Sequence, residues 1–447
     1  MNAVTSAFEA IRAIWIRAFL YITEPVFSRL LPDPYTNAGH TRVPSKLMKE
    51  SKVTMTEIVT SSHCNSMGIC FAGTTLGWID IAAGICAKRH GNAPSVTRSV
   101  DGVAFLFPVK EGDILKIQAS VNKSWRTSME VGVRIEAESP LTTRRVFVAH
   151  AYLTFVALSP RPKPQTYLGR QFLQYQPTPV PQVMPETDLE KRRYDMAEHR
   201  RQQRLRHHPA TPVPSTTDNI RALFRNYAQQ QLTHQPSLPD EPAVDSHPAF
   251  KEHPEDLAED NDDACPIRPR PYKRRYSVDP TMAQPVKFMY MKDTFAEVVK
   301  LVMPQHANTL GITFGGMIIS WMEMCALSSA NRLAKAYVVT ASIDSLNFIR
   351  STRIGDVITI RSMISRSYTS SMEVFVTVEA ENLQTGETQF TNDGFFTITA
   401  VDRQLVPVII PQVIPQTETE VQLHTQGDER RNKRLLYRQE LIGTLDK

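Results

Sequence analysis

Two asparagines and two aspartates stand in matched surroundings along the chain. Asn65 and Asn308 lie in the polar turns "HCNSMGICFAG" and "HANTLGITFGG", each directly before an apolar segment. Asp101 and Asp344 interrupt the apolar segments "SVDGVAF" and "SIDSLNF", although Asp is depleted in strands. A carboxylate held in such a strand can take a proton from water or attack a carbonyl carbon directly. These four residues are therefore candidates for chemistry at a carbonyl group.

Small residues open the apolar segment that follows each asparagine, namely Ala72 and Gly73 in one copy and Gly315 and Gly316 in the other. The free N–H groups at the start of a buried helix stabilise developing negative charge, and glycine lets a substrate approach the backbone closely. These positions therefore predict hydrogen-bond donors for an oxyanion. Ala72 stands where the later copy has Gly315, and we expect it to narrow the first pocket.

Each assignment has a structural alternative. An Asn before a helix is often an N-cap, and a strand Asp can simply bond to neighbouring amides. Asp80 and Glu323 occupy equivalent positions within the apolar segments; we weigh a general base there against buried structural pairing and favour the pairing. His63 and His306 recur in the two turns, and we expect each to make a local turn hydrogen bond.

The matched surroundings belong to an internal repeat. Asn65 and Asn308 are 243 positions apart, and the same offset superposes "SMEV" at 128–131 on "SMEV" at 371–374. After each copy, "VPQVMPET" or "IPQVIPQT" precedes a basic segment. Repetition on this scale indicates tandem domains. We divide the chain into an N-terminal extension with an amphipathic helix (1–48), a first domain with a basic C-terminal helix (49–206), a Pro-rich charged linker expected to be disordered (207–284) and a second domain with a basic C-terminal helix (285–447).

The periodicity within one repeat predicts a helix followed by strands. Residues 73–90 are apolar on nearly all sides, which is typical of a buried helix of about five turns. From residue 114 onward the apolar residues alternate with polar ones, as in strands, and four strands follow without a second long helix. The predicted fold class is α+β, with a curved antiparallel sheet wrapped around one long helix in each domain.

Composition disfavours several other classes of protein. A net charge of +5 on 447 residues is mild, and the Arg-rich segments have few aromatics for stacking, so we expect no nucleic-acid binding. The five cysteines lack metal-binding spacing, so we expect no metal site. The N-terminal segment "FEAIRAIWIRAFLYI" reads as a helix that docks on its own domain, contacts a membrane surface or serves as an organelle presequence. We expect a cytoplasmic protein, with a mitochondrial one as the alternative.

The sequence resembles the hotdog-fold acyl-CoA thioesterases, in particular the forms with two hotdogs in one chain. The motifs "HCNSMGICFAG", "HANTLGITFGG", "SVDGVAF", "SIDSLNF" and the two "SMEV" strands carry the resemblance over roughly 50–206 and 285–440. We expect none of the lipid-binding START domains found in some relatives. The resemblance implies hydrolysis of acyl-CoA to a free fatty acid and coenzyme A, no cofactor, and a trimer of double hotdogs. A non-catalytic acyl-CoA sensor and another hotdog enzyme, such as a hydratase, are the alternatives.

The resemblance also implies how the site is assembled. It pairs Asn65 with Asp344 and Asn308 with Asp101 across the two facing hotdogs, and the full Gly pair ranks the Asn308 site first. It places contacts to coenzyme A on the residues before the strand Asp and on the turn before "MEV", which here are Ser99, Val100, Ser342, Ile343, Thr127, Ser128, Ser370 and Ser371. The basic helices offer Arg201, Arg204, Arg431 and Arg434 to the coenzyme phosphates, with a solvated charged face as the alternative.

Overall fold

The computed structural model describes residues 45–161, 165–167, 170–172, 175–206, 216–233 and 288–445. The predicted amphipathic helix of the N-terminal extension lies outside the described residues, and so does most of the predicted linker. Within the described ranges, no helix combines the length and the apolar character that crossing a membrane requires.

Two helices of 20 residues dominate the helical part of the fold. The α-helices of the described residues are α1 (Met48–Ser51), α2 (Ala72–Gly91), α3 (Asp188–Arg206), α4 (Thr216–Thr233), α5 (Gly315–Ala334), α6 (Glu418–Thr425) and α7 (Gly427–Leu445). Helices α2 and α5 occupy equivalent positions in the repeat and begin at the predicted small residues. Leu76, Ile79 and Cys86 of α2 are buried, so the predicted buried helix at 73–90 is confirmed.

An antiparallel sheet curves around α2 in the first unit (residues 45–206). The strands of this unit are β1 (Lys46–Leu47), β2 (Val53–Ile58), β3 (Ser95–Val100), β4 (Val103–Ala104), β5 (Ile114–Ser124), β6 (Ser128–Glu138), β7 (Arg145–Pro160), β8 (Gln165–Tyr167), β9 (Arg170–Phe172), β10 (Tyr175–Pro177) and β11 (Val183–Met184). The main sheet has the order β3-β7-β6-β5-β2. Leu115, Ile117 and Val121 of β5 are fully buried whereas Lys116 is exposed, so the predicted alternation is confirmed.

The second unit (residues 288–445) repeats this arrangement around α5. Its strands are β12 (Phe288–Tyr290), β13 (Ala296–Leu301), β14 (Tyr337–Ile343), β15 (Leu346–Asn347), β16 (Asp356–Ser367), β17 (Ser371–Asn382), β18 (Thr388–Val401) and β19 (Gln412–Ile414). The sheet order β13-β16-β17-β18-β14 matches that of the first unit. Both units therefore have the predicted α+β fold.

The two units share strands and pack their central helices together. Strand β15 of the second unit pairs with β3 of the first, and β4 of the first pairs with β14 of the second. Helices α2 and α5 cross so closely that a Cβ atom on Gly73 would lie 2.6 Å from the Cα of Ser320. One on Gly316 would lie 2.7 Å from the Cα of Gly77. The helices therefore run antiparallel, and the first turn of each packs against the second turn of the other.

Helix α4 departs from the predicted organisation, because it lies inside the segment predicted to be a disordered linker. Ile220, Phe224 and Tyr227 of this helix are buried. The Phe224 ring packs 5.5 Å from that of Phe295, and the Tyr227 hydroxyl donates to Glu420 at 2.9 Å. Residues 216–233 are therefore ordered against the second unit, since their apolar side chains recur at helical spacing and find a buried surface there.

Candidate active site

Each predicted asparagine closes its own turn. The Oδ1 atom of Asn65 accepts hydrogen bonds from the N–H groups of Met67 and Ile69 at 2.9 and 3.1 Å. The same pair of bonds, at 2.9 and 3.2 Å, closes the turn of Asn308. Each following helix begins after a phenylalanine that makes no side-chain cap bond. The asparagines are thus not helix caps. Each turn uses only the Oδ1 atom of its asparagine, so the NH2 group takes no part in these hydrogen bonds.

The two histidines of the turns make the local bonds that were expected. The Nδ1 atom of His63 accepts the N–H of Thr60 at 3.2 Å, and that of His306 accepts the N–H of Met303 at 3.1 Å. Their rings also stack edge-on against Trp78 and Trp321. These contacts fix the turns in front of the helices.

The start of α2 binds a carboxylate from the other unit. The Glu323 carboxylate, on α5, accepts the N–H of Ala72 at 3.1 Å and the N–H of Gly73 at 2.6 Å. The hydroxyl of Thr340 donates to the same carboxylate at 2.5 Å. We call Glu323, Thr340, Asn65, Ala72 and Gly73 the Glu323 centre. Both predicted oxyanion donors of this centre are occupied.

The start of α5 binds Asp80 of α2 in the quasi-equivalent way. The Asp80 carboxylate accepts the N–H of Gly316 at 3.0 Å and the Thr97 hydroxyl at 2.6 Å. We call Asp80, Thr97, Asn308, Gly315 and Gly316 the Asp80 centre. The Gly315 N–H makes a weaker interaction with the Asp80 carboxylate and also lowers its pKa, whereas Glu323 accepts a regular hydrogen bond from both helix N–H groups of its centre.

Both helix carboxylates are removed from water. Asp80 is 4% exposed and Glu323 is 1% exposed. Burial raises the pKa of each above the usual range of a carboxyl group, although the threonine and backbone hydrogen bonds work in the opposite direction. A buried carboxylate with a raised pKa is a stronger base than one in water, and such groups are typical of functional sites.

A cavity of about 360 Å³ opens at the Asp80 centre. Asp80, Thr97, Asn308 and Gly315 line it, together with apolar side chains of both units. Apolar lining with a few convergent polar groups is the usual character of a small-molecule site. Here the polar groups are a base, an amide and the N-terminus of a helix.

The predicted aspartates lie elsewhere, in an ion-pair network under the basic helices. Arg204 of α3 donates to Asp101 at 2.8 Å and also contacts Glu130, which is fully buried. Arg434 of α7 makes the equivalent bond to Asp344 at 2.9 Å. Burial raises the pKa of both aspartates to about 6, while the arginines act against this rise. Neither aspartate lines the cavity that contains Asn308.

Most of the residues predicted to contact coenzyme A instead make contacts within the protein itself. Arg204 and Arg434 turn inward, because the buried acids of the sheet need a counter-charge. Arg201 and Arg431 stack on aromatic rings at 4.6 and 4.2 Å. The strand positions Ser99, Val100, Ser342 and Ile343 pair with strands of the facing unit, and Thr127, Ser128, Ser370 and Ser371 lie where β5 turns into β6 and β16 into β17. None of these residues lines the cavity.

Sequence reasoning missed two threonines and three cations. Thr97 and Thr340 hold the helix carboxylates, and the constant offset of the repeat contained the signal, since the two threonines are equivalent. Lys88, Arg98 and Arg350 also line the cavity. Nothing in their local sequence marks them, because they come from three separate elements.

The repeat and the fold agree with comparisons to known proteins. The sequence profile of the family described as Thioesterase superfamily matches residues 67–143 and 310–387. The uncharacterized acyl-CoA thioester hydrolase YkhA of Bacillus subtilis is 38% identical over 141 residues, which are 31% of this chain and 82% of that protein. The chain belongs to the thioesterase superfamily, and its two units are tandem hotdog domains.

Longer relatives match both units at once. Mouse acyl-coenzyme A thioesterase 11 is 28% identical over 368 residues, covering 82% of this chain and 50% of its own length. Mouse acetyl-coenzyme A thioesterase is 26% identical and is covered over 58% of its length. The chain thus spans about half the length of these curated relatives. A solved structure of an acyl-CoA hydrolase from Staphylococcus aureus in complex with butyryl coenzyme A is 33% identical, with a TM-score of 0.31, and the match covers 43% of this chain and 100% of that one.

Proposed function

We propose that this protein hydrolyses acyl-CoA thioesters to a free fatty acid and coenzyme A, and that the Asp80 centre performs the reaction. The observation that carries the proposal is the cavity at this centre, into which a buried carboxylate, an asparagine and the N-terminus of a helix converge. The names of the matched relatives, which are acyl-CoA thioesterases, support the substrate class.

In this mechanism Asp80 is the general base. It takes a proton from a water molecule, and the water oxygen attacks the carbonyl carbon of the thioester. The raised pKa of Asp80 favours this transfer, and the Thr97 hydroxyl keeps the carboxylate in place. The carbon–sulfur bond then breaks and coenzyme A leaves as a thiolate, which takes up the proton from Asp80 or from solvent.

The negative charge that develops on the carbonyl oxygen needs hydrogen-bond donors. The Gly315 N–H at the start of α5 and the NH2 group of Asn308 fill this role in the proposal, because both residues line the cavity. A helix N-terminus also favours negative charge through its dipole. Loss of a single donor of this kind commonly lowers the rate on the order of 100-fold or more.

The Glu323 centre is assigned a structural role. Glu323 occupies the N–H groups of Ala72 and Gly73, and Ala72 adds a methyl group, so no N–H group at the start of α2 is free for a substrate carbonyl and only the Asn65 NH2 group remains as a donor. Two pairs remain a prediction, namely Asn65 with Asp344 and Asn308 with Asp101. In that prediction Asp101, rather than Asp80, is the base at the Asn308 site. The following experiment distinguishes the two candidate bases.

Release of coenzyme A from a ladder of acyl-CoAs is followed with a thiol-reactive dye. We expect Asp80→Asn to lower kcat by about 100-fold or more, the range in which general bases act. Glu323→Gln is the matched control on the other helix, and Asp101→Asn and Asp344→Asn test the rival base. Full activity of Asp80→Asn together with loss in Asp101→Asn would overturn the assignment. If the wild-type chain binds acyl-CoA but releases no coenzyme A, the sensor alternative is established.

Assembly and compartment belong to the same proposal. The trimer of double hotdogs would have about three times the 50.5 kDa mass of the chain, which light scattering on the purified protein measures directly. A cytoplasmic location, with the mitochondrial alternative, is tested by imaging the tagged full-length chain.

A further inference from the structure

Three cations from separate elements meet at the cavity of the Asp80 centre. Lys88 lies in the last turns of α2, Arg98 lies in β3 of the first unit, and Arg350 follows β15 of the second unit. Lys88 is half-buried, while Arg98 and Arg350 are exposed. We call Lys88, Arg98 and Arg350 the cavity cations.

The cavity cations make no direct ion pair in the part of the chain that the structure describes, although the Lys88 charge lowers the pKa of Asp80. The Arg98 guanidinium donates to the backbone carbonyl groups of Phe348 and Ile349, and that of Arg350 donates to Gln389 at 3.2 Å. Among the described residues, none of the three forms a salt bridge with a carboxylate. Arg204 and Arg434 of the basic helices differ, since each already holds buried acids. The cavity cations are therefore the better candidates to bind an anion.

The Glu323 centre lacks these charges. At the offset of the repeat, Lys88 corresponds to Asn331, Arg98 to Ala341 and Arg350 to Phe107. The whole set is lost together, although Asn, the helix carboxylate and Thr are present in both centres. If the three cations only formed a solvated charged surface, they would not be expected to occur at one centre and be absent from the other. This distribution is expected if an anionic ligand binds at the Asp80 centre only.

The lining of the cavity thus suits a ligand that is partly apolar and partly anionic. Ile81, Ile85, Phe155 and Ile318 supply apolar surface, while the cavity cations supply positive charge. We infer that the cavity cations bind the phosphate groups of coenzyme A and so restrict acyl-CoA to the Asp80 centre; this inference rests on the function proposed above. Charge-assisted hydrogen bonds from Arg and Lys are the usual means of binding phosphate.

The test compares two thioesters of the same acyl group, one on coenzyme A and one on N-acetylcysteamine, which has no phosphate. The variant combines Lys88→Met, Arg98→Gln and Arg350→Gln, so that length is preserved and charge removed. We expect kcat/KM for the acyl-CoA to fall by at least about 100-fold, since a hydrogen bond to a charged group contributes on the order of tenfold or more. The Lys88 charge lowers the pKa of Asp80, so both substrates are assayed at a pH above the acid limb of the wild type and of the variant. There, hydrolysis of the N-acetylcysteamine thioester should change by less than about threefold, because that substrate has no phosphate for the cations to bind.

The matched control is Arg332→Gln. Arg332 is an exposed cation next to Asn331, at the corresponding end of α5, and it should affect neither substrate. An equal loss with both thioesters would overturn the inference, because it would indicate a structural role, and unchanged activity on acyl-CoA would overturn it by placing the phosphates elsewhere. If the wild-type chain hydrolyses neither thioester, the proposed function fails, and calorimetric titration with free coenzyme A still tests whether the cations bind it.

Discussion

The Glu323 carboxylate accepts a hydrogen bond of 2.6 Å from the N–H group of Gly73, a residue 250 positions earlier in the chain. Asp80 binds Gly316 in the same way, so each unit supplies the acid that completes the helix start of the other. A buried carboxylate at a helix N-terminus is stabilised by the free N–H groups and by the helix dipole. The two hotdogs therefore depend on each other for the satisfaction of buried polar groups, and neither helix start is complete alone.

Removal of the Glu323 carboxylate should destabilise the fold. Glu323→Ala leaves the N–H groups of Ala72 and Gly73 and the Thr340 hydroxyl without their acceptor in a buried place. Each buried unsatisfied group costs about 1–3 kcal/mol, so we expect a loss of several kcal/mol in the free energy of unfolding, measured by chemical denaturation. Glu323→Gln keeps one acceptor oxygen and should lose less. Equal stability of Glu323→Ala and wild type would contradict the role of these bonds.

The close crossing of the central helices makes a second prediction about stability. A Cβ atom on Gly73 would lie 2.6 Å from the Cα of Ser320, so Gly73→Ala must push the helices apart, at a cost of about 1–3 kcal/mol. Gly77 is the matched control on the same helix, because a Cβ there meets no atom within 4 Å. Gly77→Ala should be neutral or stabilise by up to about 1 kcal/mol through helix propensity. Thermal unfolding of the two variants tests whether the change in stability has opposite signs.

The pH dependence of hydrolysis should report the carboxyl that acts as base. A base works only when deprotonated, so kcat/KM falls as the pH drops through its pKa. Burial raises the pKa of Asp80, and the acid limb should therefore lie above the range of an ordinary carboxyl near pH 4. The limb should persist in Asp101→Asn, although burial raises the pKa of Asp101 to about 6. A limb near pH 6 that disappears in Asp101→Asn would instead assign the base to Asp101.

Much of the fold could be predicted from the sequence, because its signals are local. The repeat, the buried helix and the alternating strands depend on residues close together in the chain, and all three are present. The partner of Asp80 could not be predicted in this way, since Gly316 lies 236 positions away and the antiparallel helix crossing brings them together. The sequence favours Asp101 over Asp80 through its unusual place in an apolar strand and through the family resemblance, and neither carries information about the salt bridge to Arg204. The role of Thr97 could in principle be predicted from the sequence, because the equivalent position of the repeat is also a threonine, Thr340.

Helix α4 shows that local composition can hide a packed element. Its surroundings are Pro-rich and charged, but Ile220, Phe224 and Tyr227 recur at helical spacing, and Phe224 is fully buried beside Phe295 and Phe375. Phe224→Ala removes a buried aromatic side chain and should cost about 3–5 kcal/mol in the free energy of unfolding. Asn226→Ala is the control, because Asn226 is exposed on the same helix and should change stability by less than about 0.5 kcal/mol. Hydrogen exchange of α4 locates the effect: faster exchange in Phe224→Ala confirms docking, while equal rates in both variants would show that the helix contributes nothing to the second unit.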